Sequence, residues 1–455
     1  MSLRIYRRKF FFKLLSIVLL VQTSLLAASD FTIYNVNVID IRNGSVIANK
    51  TIEINNNRIS AITDYDPQKT FKEGAIDGQQ GYVMPGLWDA HIHTGGDKNE
   101  LAKEVYPKLL KYGITHVRDL GMSREKLSLL NPHEPERLVT NQPQLLLTGP
   151  LLDSVKLRWY GDLQYIMTEP DKVEAQLTEL KAQGIDFFKA YQALTPEVCQ
   201  AILAAAQKLD IPVVGHVPSS VGLDVVANGS QATIEHLGMG ALMSCNPAGQ
   251  ELFNKSINAK FSQGYEAYYK VLIEFFDGID WEYCQKAIDA FAQRGGSWTP
   301  TLIMETYDSS VVEPEALSEL NERGLEWCKK QLNDIDQVAP EVKSAAMSAI
   351  KNAFTKIQQS GVTILAGTDS PNYCHVAGRS LLWELKQLEA FGLSKADVIR
   401  AATMNPAMSA GQIDYGLVEK GKMADLIVLK NNPLEDLNAL REMTGLYGPD
   451  GWQKR

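Results

Sequence analysis

The chain has 455 residues, 45% hydrophobic and 22% charged, a composition that excludes disordered and fibrous classes and allows a large buried core. The formal net charge is −9, and residues 29–455 alone carry 40 basic against 54 acidic side chains, a balance that argues against nucleic acid as a partner, since phosphate binding needs clustered positive charge. Five cysteines (Cys199, Cys245, Cys284, Cys328, Cys374) are too few and too scattered for a disulfide framework; the odd number leaves at least one free or shared between chains, with room for one disulfide.

Residues 1–28 read as a secretory signal peptide. Arg4, Arg7, Arg8, Lys9 and Lys13 form a basic start, an apolar run covers 14–26, and Ala27, Ala28 and Ser29 offer small residues for cleavage. The run is shorter than the roughly 20 residues of a spanning helix. A retained N-terminal anchor is the alternative, because residues 10–12 are all Phe. Export predicts a periplasmic or secreted protein with no stable membrane insertion once the signal is removed.

Segments 31–41, 46–54, 58–64 and 82–84 read as short strands, separated by turn residues such as Asn43–Gly44 and 55–57. Segment 424–429, after the turn at Gly421, is a similar strand. Both chain ends, 29–84 and 412–455, are therefore expected to meet in one small β-sandwich domain, with residues 85–411 inserted between them.

That insert alternates apolar runs with amphipathic stretches. The runs are 87–93, 115–121, 144–149, 186–191, 213–217, 233–237, 297–302 and 362–369, and the segments 173–183, 196–209 and 379–391 have helical patterning. Eight strand-and-helix repeats predict an α/β fold, a (β/α)8 TIM barrel. Stretches 240–295 and 305–360 exceed a simple connection and read as helical insertions that roof the barrel mouth.

Functional groups of such a barrel sit at the C-terminal ends of its strands. Strand one ends in His91-Ile92-His93, whose imidazoles share a face by the two-residue period. Strand four carries Lys189, strand five His216, strand six His236 and strand eight Asp369. Imidazoles and carboxylates are the usual ligands of zinc and related cations. Lys189, among Phe187, Phe188 and Tyr191, is in poor surroundings for an ammonium ion. A neutral lysine can add carbon dioxide, and the resulting carbamate has two oxygens able to bridge two cations. The plain alternative is a lysine snorkelling to the barrel mouth beside a single metal.

At these residues the chain resembles the amidohydrolase superfamily. Val83-Met84-Pro85-Gly86-Leu87-Trp88-Asp89-Ala90-His91-Ile92-His93 is similar to its signature strand, 361–369 to its eighth strand and 421–429 to its closing strand. Segments 115–121 and 380–403 are most similar to the imidazolonepropionase and prolidase-like branch, and the likeness runs from about 31 to 436. It implies that His91, His93 and Asp369 bind one divalent metal, that His216 and His236 bind a second, and that carboxylated Lys189 bridges them, with zinc as the default ion. It also implies attack on an amide carbonyl by a hydroxide shared between the metals, with Asp369 as general acid and base.

Tyr191, Arg118 and His375 are the expected substrate contacts, and position alone adds Arg158, Trp159 and Tyr160 to the candidates for the pocket wall. His116 and His133 read as structural or exposed. The expected partner is a small-molecule amide, most plausibly a dipeptide or N-acyl amino acid, and homo-oligomerisation stays open. Two other readings are a one-metal cyclic-amide hydrolase or deaminase, and a barrel that has lost catalysis and serves as a binding protein.

Overall fold

Alternation of apolar and polar residues builds the first strands. In β1 (Phe31–Asp40) the side chains of Ile33, Val36, Val38 and Ile39 are buried. The alternation slips at Asn35, whose φ of 56° accompanies a register shift between Ile33 and Val36. β1 pairs antiparallel with β2 (Ser45–Asn55), and β2 with β3 (Arg58–Asp64). β4 (Ile76–Asp77) and β5 (Tyr82–Pro85) run parallel to β1. This computed structural model describes residues 30–94, 99–129, 142–157, 160–306, 308–372 and 374–455; the expected signal peptide, together with His133, Arg158 and Trp159, lies outside them.

Two parallel sheets follow. β6 (Leu87–Ile92), β7 (Ile114–Asp119) and β8 (Gln144–Leu147) form the first. The second contains β9 (Leu151–Asp153), β10 (Gln164–Ile166), β11 (Phe188–Ala190), β12 (Val213–Gly215), β13 (Gln231–Glu235), β14 (Ser297–Thr299) and β15 (Thr363–Ile364). Every residue of β6, β7, β11, β12 and β14 is buried, the mark of parallel strands covered on both faces. The third apolar run is broken at Gly149, with φ 67°, and resumes as β9, where Leu151 pairs with Lys189.

Backbone hydrogen bonds link the two sheets at both margins. On one side the Asp186 amide donates to the Leu147 carbonyl at 2.8 Å; on the other, the Ala90 amide donates to Ala366 at 2.9 Å and the Asp369 amide to His91 at 2.7 Å. The molecule is a mixed α/β fold of TIM-barrel type. Its crossover helices include Val173–Ala182, Pro196–Leu209 and Arg379–Ala390. The second is set by Thr195, whose hydroxyl accepts from the Val198 amide, and by Pro196 in the first turn.

The long connections are helical. Gly249–Asn258, Tyr265–Asp277 and Trp281–Gln293 occupy the first, and Glu322–Asp336 and Pro340–Gln359 the second. Disulfides Cys245–Cys284 and Cys328–Cys374 tie them down, with Cα separations of 5.2 and 4.7 Å. Cysteine spacing allows one disulfide; the fold pairs four of the five, and Cys199 is free and buried. Partners 39 and 46 residues apart meet only once the helices pack.

The chain then returns to the first sheet. β16 (Leu426–Leu429) pairs antiparallel with β5, β17 (Met443–Gly448) with β16, and β18 (Gly451–Lys454) with β17. Strands from both ends thus share one eight-stranded sheet. The sheet curls: the Phe31 ring lies 4.9 Å from that of Tyr447, although β1 and β17 stand three strand spacings apart, about 14 Å in a flat sheet. Ile33, Val38, Ile52, Val83, Leu426 and Val428 fill the inside of the curl.

Candidate metal centre and active site

The end of β6 brings His91 and His93 to the same place as Asp369. His93 Nε2 lies 3.0 Å and His91 Nε2 3.4 Å from Asp369 Oδ1, and ligand atoms of all three fall within 4.8 Å of one another, a spacing that one cation can span. Gly367 makes the approach possible, since a Cβ there would meet the His91 Cβ and backbone nitrogen at 2.8 Å. Asp369 itself adopts φ 57°, which turns its carboxylate out of the strand line and toward the two rings.

Neighbouring strands add the remaining donors. The His236 ring is 4.7 Å from His91 and 4.9 Å from His216, and the His216 ring is 4.4 Å from Tyr191. Lys189 is fully buried, and its Nζ has no hydrogen-bond partner among the described residues. Burial pushes its pKa down to about 8, against the pull of Glu235 and Asp369. Burial and the adjacent Lys189 hold His91 and His216 well below the ordinary imidazole range, and burial lowers His236 as well. Burial alone would raise Asp369, but His91, His93 and His236 outweigh it and hold its carboxyl well below the usual range.

A second layer of polar groups, missed in the sequence, positions these side chains. Glu235 is fully buried, and its Oε2 is 2.9 Å from His91 Nδ1. A carboxylate only accepts, so His91 carries its proton on Nδ1 and turns the Nε2 lone pair inward. Thr301 Oγ1 is 2.8 Å from His236 Nδ1. Asp89 accepts from the His91 amide at 3.2 Å and from the Thr368 hydroxyl at 2.7 Å, with burial raising its pKa to about 7. Asp119 accepts from the Thr94 amide at 3.0 Å. The available signal was the one that drew attention to Lys189, a charged residue inside an apolar strand.

The expected substrate contacts separate. Arg118 lies beneath the centre: its guanidinium donates to Ala90 O at 2.6 Å, Glu235 Oε1 at 2.7 Å and Thr299 Oγ1 at 3.1 Å. It is 3% exposed and committed to these acceptors, so it belongs to the support of the site rather than to a substrate surface. Tyr191 packs on His216 and on Tyr160, 5.2 Å away between ring centres. His375 is buried on the loop after Asp369, burial lowering its pKa to about 4. It lines a cavity of about 220 Å³ with His93, Ser370 and Asn372, and a second cavity of about 220 Å³ opens beside His216 and His236.

A sequence profile described as the amidohydrolase family matches residues 82–446. An ochratoxinase of Aspergillus niger is 33% identical over 105 residues, 22% of this chain and 21% of that protein; the curated relatives are matched over about a fifth of their own length or less. The solved structure of a bottromycin amidohydrolase superposes with a TM-score of 0.74 at 20% identity, covering 93% of this chain and 87% of that one. A Xaa-Pro dipeptidase with methionine bound in its active site gives 0.65 at 22% identity, covering 94% and 100%.

Proposed function

The chain belongs to the amidohydrolase family, and on that premise we propose that it is an exported, metal-dependent hydrolase cutting the amide bond of a dipeptide or N-acyl amino acid. One observation carries this reading: the Nε2 of His91 and the Nζ of Lys189 are buried without a hydrogen-bond partner among the described residues, in the midst of three further imidazoles and a carboxylate. Buried polar atoms are normally satisfied, and cation ligands are the role that fits this donor set. The likeness to a Xaa-Pro dipeptidase supports hydrolysis of peptide-like amides. Two disulfides support an oxidising compartment, and the linked parallel sheets support a closed (β/α)8 barrel with a curled, sandwich-like terminal domain.

His91, His93 and Asp369 would hold one ion, His216 and His236 a second, and Lys189, once carboxylated, would join the two. When bound, such ions lower the pKa of water towards 7 and polarise the scissile carbonyl. Asp369, 12% exposed at its side chain and beside both imidazoles of β6, takes the proton of the attacking water and passes it to the leaving nitrogen. Glu235 holds the His91 tautomer, and Arg118 offsets the charge of Glu235 inside the barrel. Tyr191, whose pKa burial raises well above the usual phenol, stays protonated and offers a donor to a substrate oxygen. The helical insertions shield the mouth from bulk water.

A one-metal reading is favoured by a single point: among the described residues only His91, His93 and Asp369 meet at ligand spacing. Counting bound metal separates the two readings. The decisive assay offers dipeptides and N-acyl amino acids to zinc-loaded protein, with chelated protein and Asp369→Asn as controls. Turnover abolished by chelation and by the substitution is expected; turnover surviving in Asp369→Asn removes that residue from the mechanism.

A further inference from the structure

The cavity beside His216 and His236 contains a carboxylate that none of the steps above uses. Glu305 lies in the short helix Ile303–Thr306, just beyond β14, and is half-buried. The hydroxyl of Tyr268, buried on the Tyr265–Asp277 helix, donates to its Oε2 at 2.6 Å. Its Oε1 has no hydrogen-bond or ion-pair partner among the described residues, and it faces Gly238, where a Cβ would come within 3.2 Å. His216, His236, Gly238 and Glu305 line this one cavity, so the open oxygen and the two imidazoles border the same space.

The rest of the lining is largely apolar, with Val217, Met239, Phe253, Ile257 and Phe261. The open Oε1 of this half-buried carboxylate is free to accept from a cationic donor, and such charge-assisted hydrogen bonds are the strong ones. Lys260 also lines the cavity, but its ammonium sits over the rings of Tyr268 and Tyr265 at 4.9 and 5.8 Å and forms no ion pair with Glu305 among the described residues. An apolar cavity of roughly 150 Å³ accommodates benzene. The volume here, about 220 Å³, has room for one apolar side chain and its amino group.

We propose that this cavity is the subsite for the free amino end of the substrate. Glu305 Oε1 accepts from the α-ammonium group, Tyr268 fixes the carboxylate, and the apolar wall receives the first side chain. The substrate class is thereby narrowed to dipeptides with an unblocked amino terminus and an apolar first residue, ahead of N-acyl amino acids. This rests on the reading of the protein as a metal-dependent amide hydrolase.

The test compares kcat/KM for leucyl-alanine with that for isocaproyl-alanine, the same molecule without its amino group. Wild-type protein should prefer the former by about 10- to 100-fold, the worth of a hydrogen bond to a charged group. Glu305→Gln should erase that preference by slowing leucyl-alanine alone, with Tyr268→Phe intermediate. No preference in the wild type, or equal losses on both substrates in Glu305→Gln, overturns the proposal.

Calorimetric titration of the metal-loaded protein with leucinamide and with isocaproamide gives a readout that needs no turnover. Leucinamide should bind the wild type about tenfold more tightly than Glu305→Gln, and isocaproamide should bind the two alike. If neither substrate is cut while leucinamide binding still depends on Glu305, the subsite stands and the hydrolase reading fails. If leucinamide binds both proteins equally or not at all, the subsite fails whatever the enzyme cleaves.

Discussion

Two histidine–aspartate pairs lie at opposite ends of the same parallel strands, and their surroundings set them apart. Beyond the end of β6, His93 Nε2 is 3.0 Å from Asp369 Oδ1; near the start of β7, His116 Nδ1 is 3.3 Å from Asp425 Oδ2. Around the first pair the chain gathers three more imidazoles and a buried lysine. Around the second it gathers packing: the His116 ring stacks on Trp88 at 4.2 Å, meets Tyr415 edge-on at 4.5 Å, and shares Asp425 with the Thr115 hydroxyl at 2.7 Å. The larger nearby cavity, about 320 Å³, belongs to this second pair. Neither a His–Asp contact nor cavity size therefore sets the two ends apart. What distinguishes the first is the convergence of several metal-type donors from different strand ends.

Swapping the carboxylates is the strongest way to break the contrast. Asp369→Asn should lower kcat by about 10³-fold through loss of acid–base chemistry. Asp425→Asn should leave kcat nearly unchanged and lower folding stability by about 1–2 kcal/mol, read by urea denaturation, because a buried hydrogen-bond network loses an acceptor. Equal loss of activity in both variants would erase the distinction.

The support of the reactive end should yield the next effect. Glu235→Gln keeps the shape but weakens the hold on the His91 proton, and should reduce metal affinity about 10- to 100-fold by equilibrium dialysis. An unchanged affinity would show that Glu235 serves only Arg118.

A smaller effect concerns pH. His91, His216 and His236 titrate below the ordinary imidazole value because they are buried. The unfolded chain gains protons on them near pH 6.5, and the native chain does not. Stability of metal-free protein should accordingly fall as pH drops through about 6.5 and keep falling toward the lowered native values. Denaturation curves at steps from pH 8 to 5 check this; a flat profile would mean that these rings are not held neutral.

The smallest effect expected is from reducing Cys328–Cys374, which joins the Glu322–Asp336 helix to the loop that carries His375. KM should rise by about two- to fivefold with kcat little changed, since loosened loops cost positioning first.

Much of this was legible in the residues. The N-terminal strands follow alternation within one residue of their limits, 31–41 being Phe31–Asp40 and 46–54 Ser45–Asn55, whereas 424–429 starts two residues late as Leu426–Leu429. Most of the parallel strands are shorter than their apolar runs; 233–237 keeps its length but shifts to Gln231–Glu235, and 362–369 keeps only Thr363–Ile364, because Gly367 and the positive φ of Asp369 end the ladder early. The hairpin β17–β18 was not anticipated, since its pattern is short and interrupted by Gly448-Pro449-Asp450-Gly451. The meeting of His91, His93 and Asp369 was legible because all three stand at strand ends. Glu235 was not, because its role exists only where β13 brings it under His91. For Arg118 the sequence leaves two directions open, the barrel mouth or a pairing with Asp119, and its bonds to Ala90, Glu235 and Thr299 turn it into the barrel instead.

Elemental analysis of purified protein after equilibrium dialysis against zinc asks the central question directly, when wild type, Lys189→Met and Asp425→Asn are compared side by side. Two equivalents per chain in the wild type and in Asp425→Asn, and at most one in Lys189→Met, are the predicted counts. Zinc-free wild-type protein with full hydrolytic activity, or two equivalents retained by Lys189→Met, would contradict a paired cation centre built on that lysine.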